Sequence, residues 1–399
     1  MKQVGLFDSY EEANSRLTRR FPAGKAQEDA LVAEVARTVI VDRLVPMDRM
    51  QVCASPSLEI RDGDDASAHL RVKYDGHASV TIHRHALGQL CQKAKLPMNY
   101  TNALLLPERP SEKVPSLQLI ATNLRELFAM KEFTDRSGAP ARFLHRIVGT
   151  ELRGFLSSRF NRHLASLPLL KSFRDVCEEM GARAIEATSS PVRSSLKCLL
   201  PNLFEAFPGE HVAIGVEWSN SDFGAGKLSV CQTVWRAKTA TSAVLDETIS
   251  RVHLGSVITE SDLEMSEDTL RKEVIAQSSA IQDAVRAQLA QKTVERILHA
   301  LRRAHEEQIP WTKVKSKLHT VLSKTELTWL QEMVDKGSDI IDLPPISFTP
   351  EQERVPNAYF VSSALGYLAS KSEDDDKKLA LQAEAGKFLA NAVSKETTP

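Results

Sequence analysis

From Gly255 to Pro310 the chain carries no glycine and no proline, and within that span Leu263–Leu301 reads as almost unbroken helix. The apolar positions Leu270, Val274, Ile281, Val285, Leu289, Val294, Leu298 and Leu301 fall mostly three to five residues apart, the spacing of one helical face. A single helix from Glu267 to Glu306 would run about 60 Å. That length predicts a spine, a coiled-coil contact between copies, or a break that composition conceals. Further on, Ser323-Lys-Thr-Glu326 and Thr349-Pro-Glu-Gln352 have the spacing of capping boxes, the second with proline at the first helical position. Lys371-Ser-Glu-Asp-Asp-Asp-Lys-Lys378 reads as a charged linker, and Leu379–Val393 as a last amphipathic helix. Residues 258–399 are therefore expected to form a mainly helical region containing one long helix.

Before Gly255 the hydrophobic period changes from helical to alternating. His211–Trp218 places Val212, Ile214, Val216 and Trp218 on one face, and Leu228–Trp235 answers with Leu228, Val230, Gln232 and Val234. The loop Asn220-Ser-Asp-Phe-Gly-Ala-Gly226 between them is rich in turn residues. Leu58–Thr81 also alternates, with turns at Asp62-Gly-Asp-Asp65 and Tyr74-Asp-Gly-His77, and predicts a small antiparallel sheet. Ala182–Thr188 and Val192–Leu200 read as strands, and His85–Lys95, Leu117–Met130 and Leu167–Met180 as helices. A short helix around Ala26–Arg37 leads into the β-branched run Thr38–Val41. The expected fold is α+β: a helical or extended segment over residues 1–45, an antiparallel-sheet domain with packed helices over 46–257, then the helical region.

Composition excludes several classes. With 399 residues, 42% apolar and 26% charged, the chain is an ordinary globular protein of two or three domains, neither disordered throughout nor collagen-like. Lys+Arg number 51 against 52 Asp+Glu, so any polyanion site must be a local patch on a near-neutral molecule. Five scattered cysteines with no C-x-x-C pair predict neither a disulfide framework nor a zinc knuckle. The acidic N-terminus and the absence of a long apolar run lead to the expectation of a cytoplasmic protein with no membrane partner.

Gly224-Ala-Gly226-Lys227 imitates a phosphate loop, but Ser221 stands at its first glycine position and Leu228 follows the lysine. Set between two strands, it is read as a hairpin turn. His83-Arg-His85 could place two imidazoles on one strand face for a metal, yet no third ligand motif accompanies it, and the cap or turn roles available there are the preferred reading. No nucleophile elbow or zinc-hydrolase signature is present, and no cofactor is expected.

The segment from Arg142 to Arg174 holds seven cations, Arg142, Arg146, Arg153, Arg159, Arg162, Lys171 and Arg174, against the single acid Glu151. Phe143, Phe155, Phe160 and Phe173 are interleaved. Cations beside stacking rings are what sequence-tolerant single-strand binding requires. The same residues are also what a protein core with arginines paired to distant acids would show.

Several motifs in order carry a resemblance. They are His85-Ala-Leu-Gly-Gln-Leu-Cys91 with Leu96-Pro97 and Tyr100; Arg153-Gly-Phe-Leu-Ser-Ser-Arg-Phe160; Trp218–Gly226 running into Val234-Trp-Arg236; Arg251-Val-His-Leu-Gly255; and, near the C-terminus, Ala358-Tyr-Phe, Ser363-Ala-Leu and Leu381-Gln-Ala-Glu-Ala-Gly386. In this order the chain resembles the phage- and plasmid-borne proteins grouped as domain of unknown function 932, over roughly residues 40–390. It departs from them at Lys238-Thr-Ala-Thr241, where relatives carry a Cys-Thr-Asn-Gly-like turn. The resemblance implies a mobile-element protein associated with DNA metabolism and assigns no reaction.

Together these readings lead to the expectation of a non-catalytic, phage- or plasmid-encoded protein that binds single-stranded DNA in replication or recombination. Arg142, Arg146, Arg153, Arg159, Arg162, Lys171 and Arg174 would contact phosphate, Phe155 and Phe160 would stack on bases, and Asn220 and Lys227 would border the groove. The helical region would support homo-oligomerisation. The rival expectations are a module that engages a host protein through residues 258–399, and a metal-dependent nucleic-acid enzyme using His83 and His85.

Overall fold

The computed structural model describes residues 10–55, 66–106, 112–130, 140–160, 165–251, 267–336, 355–372 and 375–390. Two largely antiparallel six-stranded sheets organise an α+β fold. Helix α1 (Tyr10–Arg37) precedes β1 (Ile40–Pro46), β2 (Met50–Ala54), β3 (Leu70–Tyr74) and β4 (His77–Ile82). After α2 (Arg84–Ala94), α3 (Met98–Leu105) and α4 (Lys113–Met130), the first sheet is completed by β5 (Arg142–Val148) and β6 (Glu151–Ser157). Its order is β1-β5-β6-β4-β3-β2, with β4 and β6 parallel. The alternation of β3 buries Leu70, Val72 and Tyr74 against a core that includes Ile82, Leu87, Leu90, Ile120, Leu124 and Phe155. Helix α2 stops where expected: Lys95 adopts a left-handed conformation (φ 60°) two residues before Pro97.

The second sheet follows α5 (Ser166–Glu179). It comprises β7 (Arg183–Ser189), β8 (Ser194–Leu199), β9 (Phe204–Phe207), β10 (Glu210–Asn220), β11 (Leu228–Arg236) and β12 (Thr241–Arg251), in the order β12-β11-β10-β8-β7 with β9 beside β10. The predicted pairing of β10 with β11 is present, with Trp218 opposite Val230 and Ile214 opposite Val234. Along β10, Val216 and Trp218 pack with Phe173 and Val176 of α5, while Val212 and Ile214 enter a separate cluster. On the reverse face, Ala213 and Trp235 meet Leu17 and Phe21 of α1. Helix α1 also guards the β7 edge, where Gln27 Oε1 accepts the Ala187 N–H at 3.1 Å.

The C-terminal helices are α6 (Glu267–Leu289), α7 (Gln291–Glu306), α8 (Trp311–Leu318), α9 (Lys324–Lys336), α10 (Ala358–Lys371) and α11 (Asp375–Ala390). They are not a region apart. Leu301, Phe360 and Leu381 share one core with Val212, Ile214 and Val234 of the second sheet, so no core boundary falls at residue 257. Nor does one long helix form, because Ala290 turns extended (φ −62°, ψ 142°) between α6 and α7. The apolar face slips there, from Leu289 straight to Val294. Leu289 belongs to the cluster of α5, and Val294 to that of α10 and α11. The carbonyls freed at the break are taken up: Gln232 Nε2 donates to Gln288 O at 2.9 Å, and Thr293 Oγ1 to Ala287 O at 2.8 Å.

Three further expectations change or sharpen. Helix α1 extends back past Pro22 to Tyr10 rather than starting near Ala26. The supposed linker around 371–378 contains the start of α11, whose Lys377 and Lys378 pair with Glu326 and Glu186. The Ser323–Glu326 capping box forms reciprocally: Glu326 Oε2 accepts the Ser323 N–H at 2.8 Å, and Ser323 Oγ the Glu326 N–H at 3.3 Å. The turn at Asp62–Asp65 and the Thr349–Gln352 box lie outside the described residues. Among the described residues no helix is long and apolar enough to cross a membrane.

Candidate functional site

The basic segment and the 220–226 loop meet where the two sheets join. Ser221 organises the loop: its Oγ accepts the N–H groups of Phe223 (3.2 Å) and Ala225 (2.8 Å) and donates to Val192 O (2.6 Å). Gly224 takes φ +76°, and a Cβ there would lie 2.6 Å from Leu156, so only glycine lets the loop settle on the β6 end.

From α2, Gln89 clamps the loop. Its Oε1 accepts the Phe155 N–H (2.7 Å), which orients the amide so that Nε2 donates to Phe223 O (3.0 Å) and faces His85 Nε2 (2.9 Å). His85 Nε2 also lies 3.1 Å from Phe223 O, so both side chains address the same loop carbonyl. His83 accepts the His85 N–H through Nδ1 (3.1 Å) and caps α2. Both imidazoles thus take the cap and loop-holding roles. Among the described residues no three His, Cys, Asp or Glu side chains converge to hold a metal.

The arginines divide sharply. Arg146 is buried, donating from Nε to Asp42 Oδ1 (2.9 Å) and from Nη1 to Asp222 O (2.5 Å), with its guanidinium 5.6 Å from the Phe160 ring centre. Arg153 is half-buried, bonded to Glu151 Oε2 (2.7 Å) and Pro191 O (3.2 Å). Arg174 pairs with Glu28 (3.7 Å) and Asp175 (3.3 Å). Arg142, Arg159 and Lys171 are exposed, Lys227 is half-buried, and Arg162 lies outside the described residues.

The expected stacking rings are corrected outright. Phe155 is 1% exposed and Phe160 6%, because β6 turns Phe155 onto Phe143 (ring centres 4.8 Å apart) and Phe160 lies under Arg146. Asn220 is also buried, its amide donating to Ser166 Oγ at 3.1 Å, so it offers no exposed edge to a strand. Arg146 is likewise withdrawn from phosphate: its charge is engaged by Asp42 and the loop carbonyl. Residues 34, 38, 153, 166, 193 and 220 help to line a cavity of about 30 Å³, room for a water molecule or two.

Sequence reasoning missed Gln89, although it stands one helical turn after His85, and missed Asp42 because its partner is far along the chain. It also missed a charged row beneath α11. Glu186 on β7, Lys197 on β8 and Glu217 on β10 are register neighbours. Lys197 Nζ is 3.3 Å from Glu186 and 3.4 Å from Glu217. The Lys197 charge, reinforced by Lys378, holds the Glu186 carboxyl at about 2 against an ordinary 4.5. Since the folded value lies below the unfolded one, this stabilisation is complete above pH ~4.5 and fades as pH falls towards 2. The full difference is worth about 3 kcal/mol, with about 2 kcal/mol gone by pH ~3. Urea midpoints at those acidities should drop less in Glu186→Gln than in the wild type.

Another buried titratable group, His145, sits with Nδ1 2.8 Å from Tyr74 Oη. Burial, with Arg43 nearby, pushes it down to about 3, so it serves the core as a neutral ring. The fold and site define an α+β protein of two packed sheets with a tied-down inter-sheet loop and exposed cations at its margin. Comparisons with protein-family models, with curated proteins and with solved structures find no match for this chain.

Proposed function

We propose that the protein is a non-catalytic, DNA-associated protein of a phage or plasmid that holds single-stranded DNA by its phosphates. The observation that carries this reading is the position of Arg142 and Arg159. Phe143 pairs with Ser157, so the two arginines flank one end of the β5–β6 hairpin, and both are exposed. Lys171 on α5 extends the same basic segment. The resemblance to the domain of unknown function 932 proteins supports the same association. With the phenylalanines buried, affinity comes from backbone charge rather than from base stacking.

Fluorescence anisotropy with a labelled ~30-nucleotide strand and the matching duplex, at about 50 and 200 mM salt, tests it. Removing one cation that neutralises a phosphate flattens the log–log salt slope by about 0.7 on a single strand. Arg142→Ala/Arg159→Ala should therefore make the slope shallower by about 1.4, so that affinity falls some sevenfold less over that salt range. An unchanged slope removes these residues from the interface. Equal binding to the duplex replaces the single-strand reading with general phosphate binding.

A further inference from the structure

We infer that α8, together with the first residue of α9, forms a second polyanion-binding surface that fits a nucleic-acid backbone, separate from the Arg142–Arg159 margin. From Gln308 to Thr325 the chain contains Lys313, Lys315, Lys317 and Lys324 and no acid at all, in a protein whose overall charge is −1. All four lysines are exposed. Lys313, Lys315 and Lys324 make no ion pair among the described residues, and Lys317 Nζ lies 5.4 Å from the Phe388 ring centre. The next acid, Glu326, is already engaged, bonded to Lys377 at 2.6 Å and to the Ser323 cap.

Helix stability explains only part of this. Lysines at the C-terminal end complement the helix dipole, which accounts for Lys315 and Lys317 in the last turn of α8. Lys313 lies near the start of α8, and Lys324 is the first residue of α9, positions where a cation opposes the dipole. A cation set against the dipole near the start of α8, in a helix that holds no acid, is what an external anion would compensate. Lys313 and Lys317 stand one turn, about 6 Å, apart along the helix, so adjacent charges of one strand can reach both.

An anionic membrane shares the charge but not the rest of the chemistry. A helix that beds into lipid presents apolar side chains outward. In α8, Val314 and Leu318 are buried, and Trp311 is half-buried against the same core. Among the described residues of the C-terminal helices, Ile275 on α6 is the one large apolar side chain that is exposed. The α8 surface is charge alone, which is the requirement for phosphate-backbone binding.

The test is the same anisotropy titration on the full chain, comparing wild type, Lys313→Ala/Lys315→Ala/Lys317→Ala, the triple Lys→Arg variant, and Arg142→Ala/Arg159→Ala. The triple alanine variant should flatten the single-strand salt slope by about 1.4, the share of Lys313 and Lys317, which lie on one flank of α8 while Lys315 lies on the other. The arginine version should restore it, since charge and not packing is at stake. A full wild-type slope in the triple alanine variant overturns the inference, whatever the Arg142/Arg159 variant shows. Conversely, failure of the Arg142/Arg159 variant to change the slope leaves α8 standing and removes only the margin site. Loss of binding to phosphatidylserine vesicles with DNA binding intact also overturns it, in favour of a lipid surface.

Discussion

Replacing Gly386 by alanine is expected to lower stability by more than 3 kcal/mol, on the order of the largest overpacking costs. Helix propensity alone predicts the opposite, a gain of about 1 kcal/mol for Gly→Ala inside α11. The contact decides the sign. A Cβ at residue 386 would stand 1.4 Å from Val244 O and 2.4 Å from its carbonyl carbon, and both belong to the backbone of β12. Both atoms are strand backbone, with no side-chain rotamer to move them aside, so α11 must lift. Lifting it strains the burial of Leu381, Ala385 and Phe388 and the Lys378–Glu186 contact beneath. Gly88 in α2 is the internal control, since the nearest atom to its Cβ would be Met98 Cε at 3.9 Å. Gly88→Ala should therefore raise the urea midpoint while Gly386→Ala lowers it. A gain in both would show that α11 does not sit tightly on β12.

The second large effect concerns Glu210, which joins the second sheet to α10. Its Oε1 accepts from Arg236 Nε at 2.9 Å and from Tyr359 Oη at 2.5 Å, and the Arg236 guanidinium lies 4.2 Å from the Tyr359 ring centre. Both charged side chains are only 6% exposed. Glu210→Ala strands a buried cation and should cost about 3–5 kcal/mol, whereas removing both charges at similar volume is often close to neutral. Tyr359→Phe keeps the ion pair and the ring contact, and should cost about 1.5–3 kcal/mol for one hydrogen bond to a charged group. Glu210→Met/Arg236→Met should then be more stable than Glu210→Ala. The reverse order in urea denaturation would mean that the pair is hydrated and adds little.

Such networks mark the limit of what spacing along a chain conveys. The β10–β11 alternation, the stop of α2 at Lys95 and the Ser323–Glu326 cap are local patterns, and each is formed as the residues predict. The α6–α7 break is visible in the sequence only as the irregular step from Leu289 to Val294. A helical repeat can absorb such a step or break at it, and here the two halves are drawn to different cores.

The basic segment shows the same division. Its charge is plain in the sequence but its strands are not, because Arg142–Val148 and Glu151–Ser157 are buried nearly along their length and lack clear alternation. Local sequence therefore determined the fold class, most element positions and the abundance of cations between Arg142 and Arg174. Tertiary structure alone decided which of those cations face solvent. Arg146 is neutralised by Asp42, 104 residues earlier, and Phe155 is turned into the core by the pairing of β5 with β6. Spacing along a chain specifies the face on which a side chain lies. The partner waiting on that face comes from another part of the chain, and burial beside it determines whether a charge remains available to a ligand.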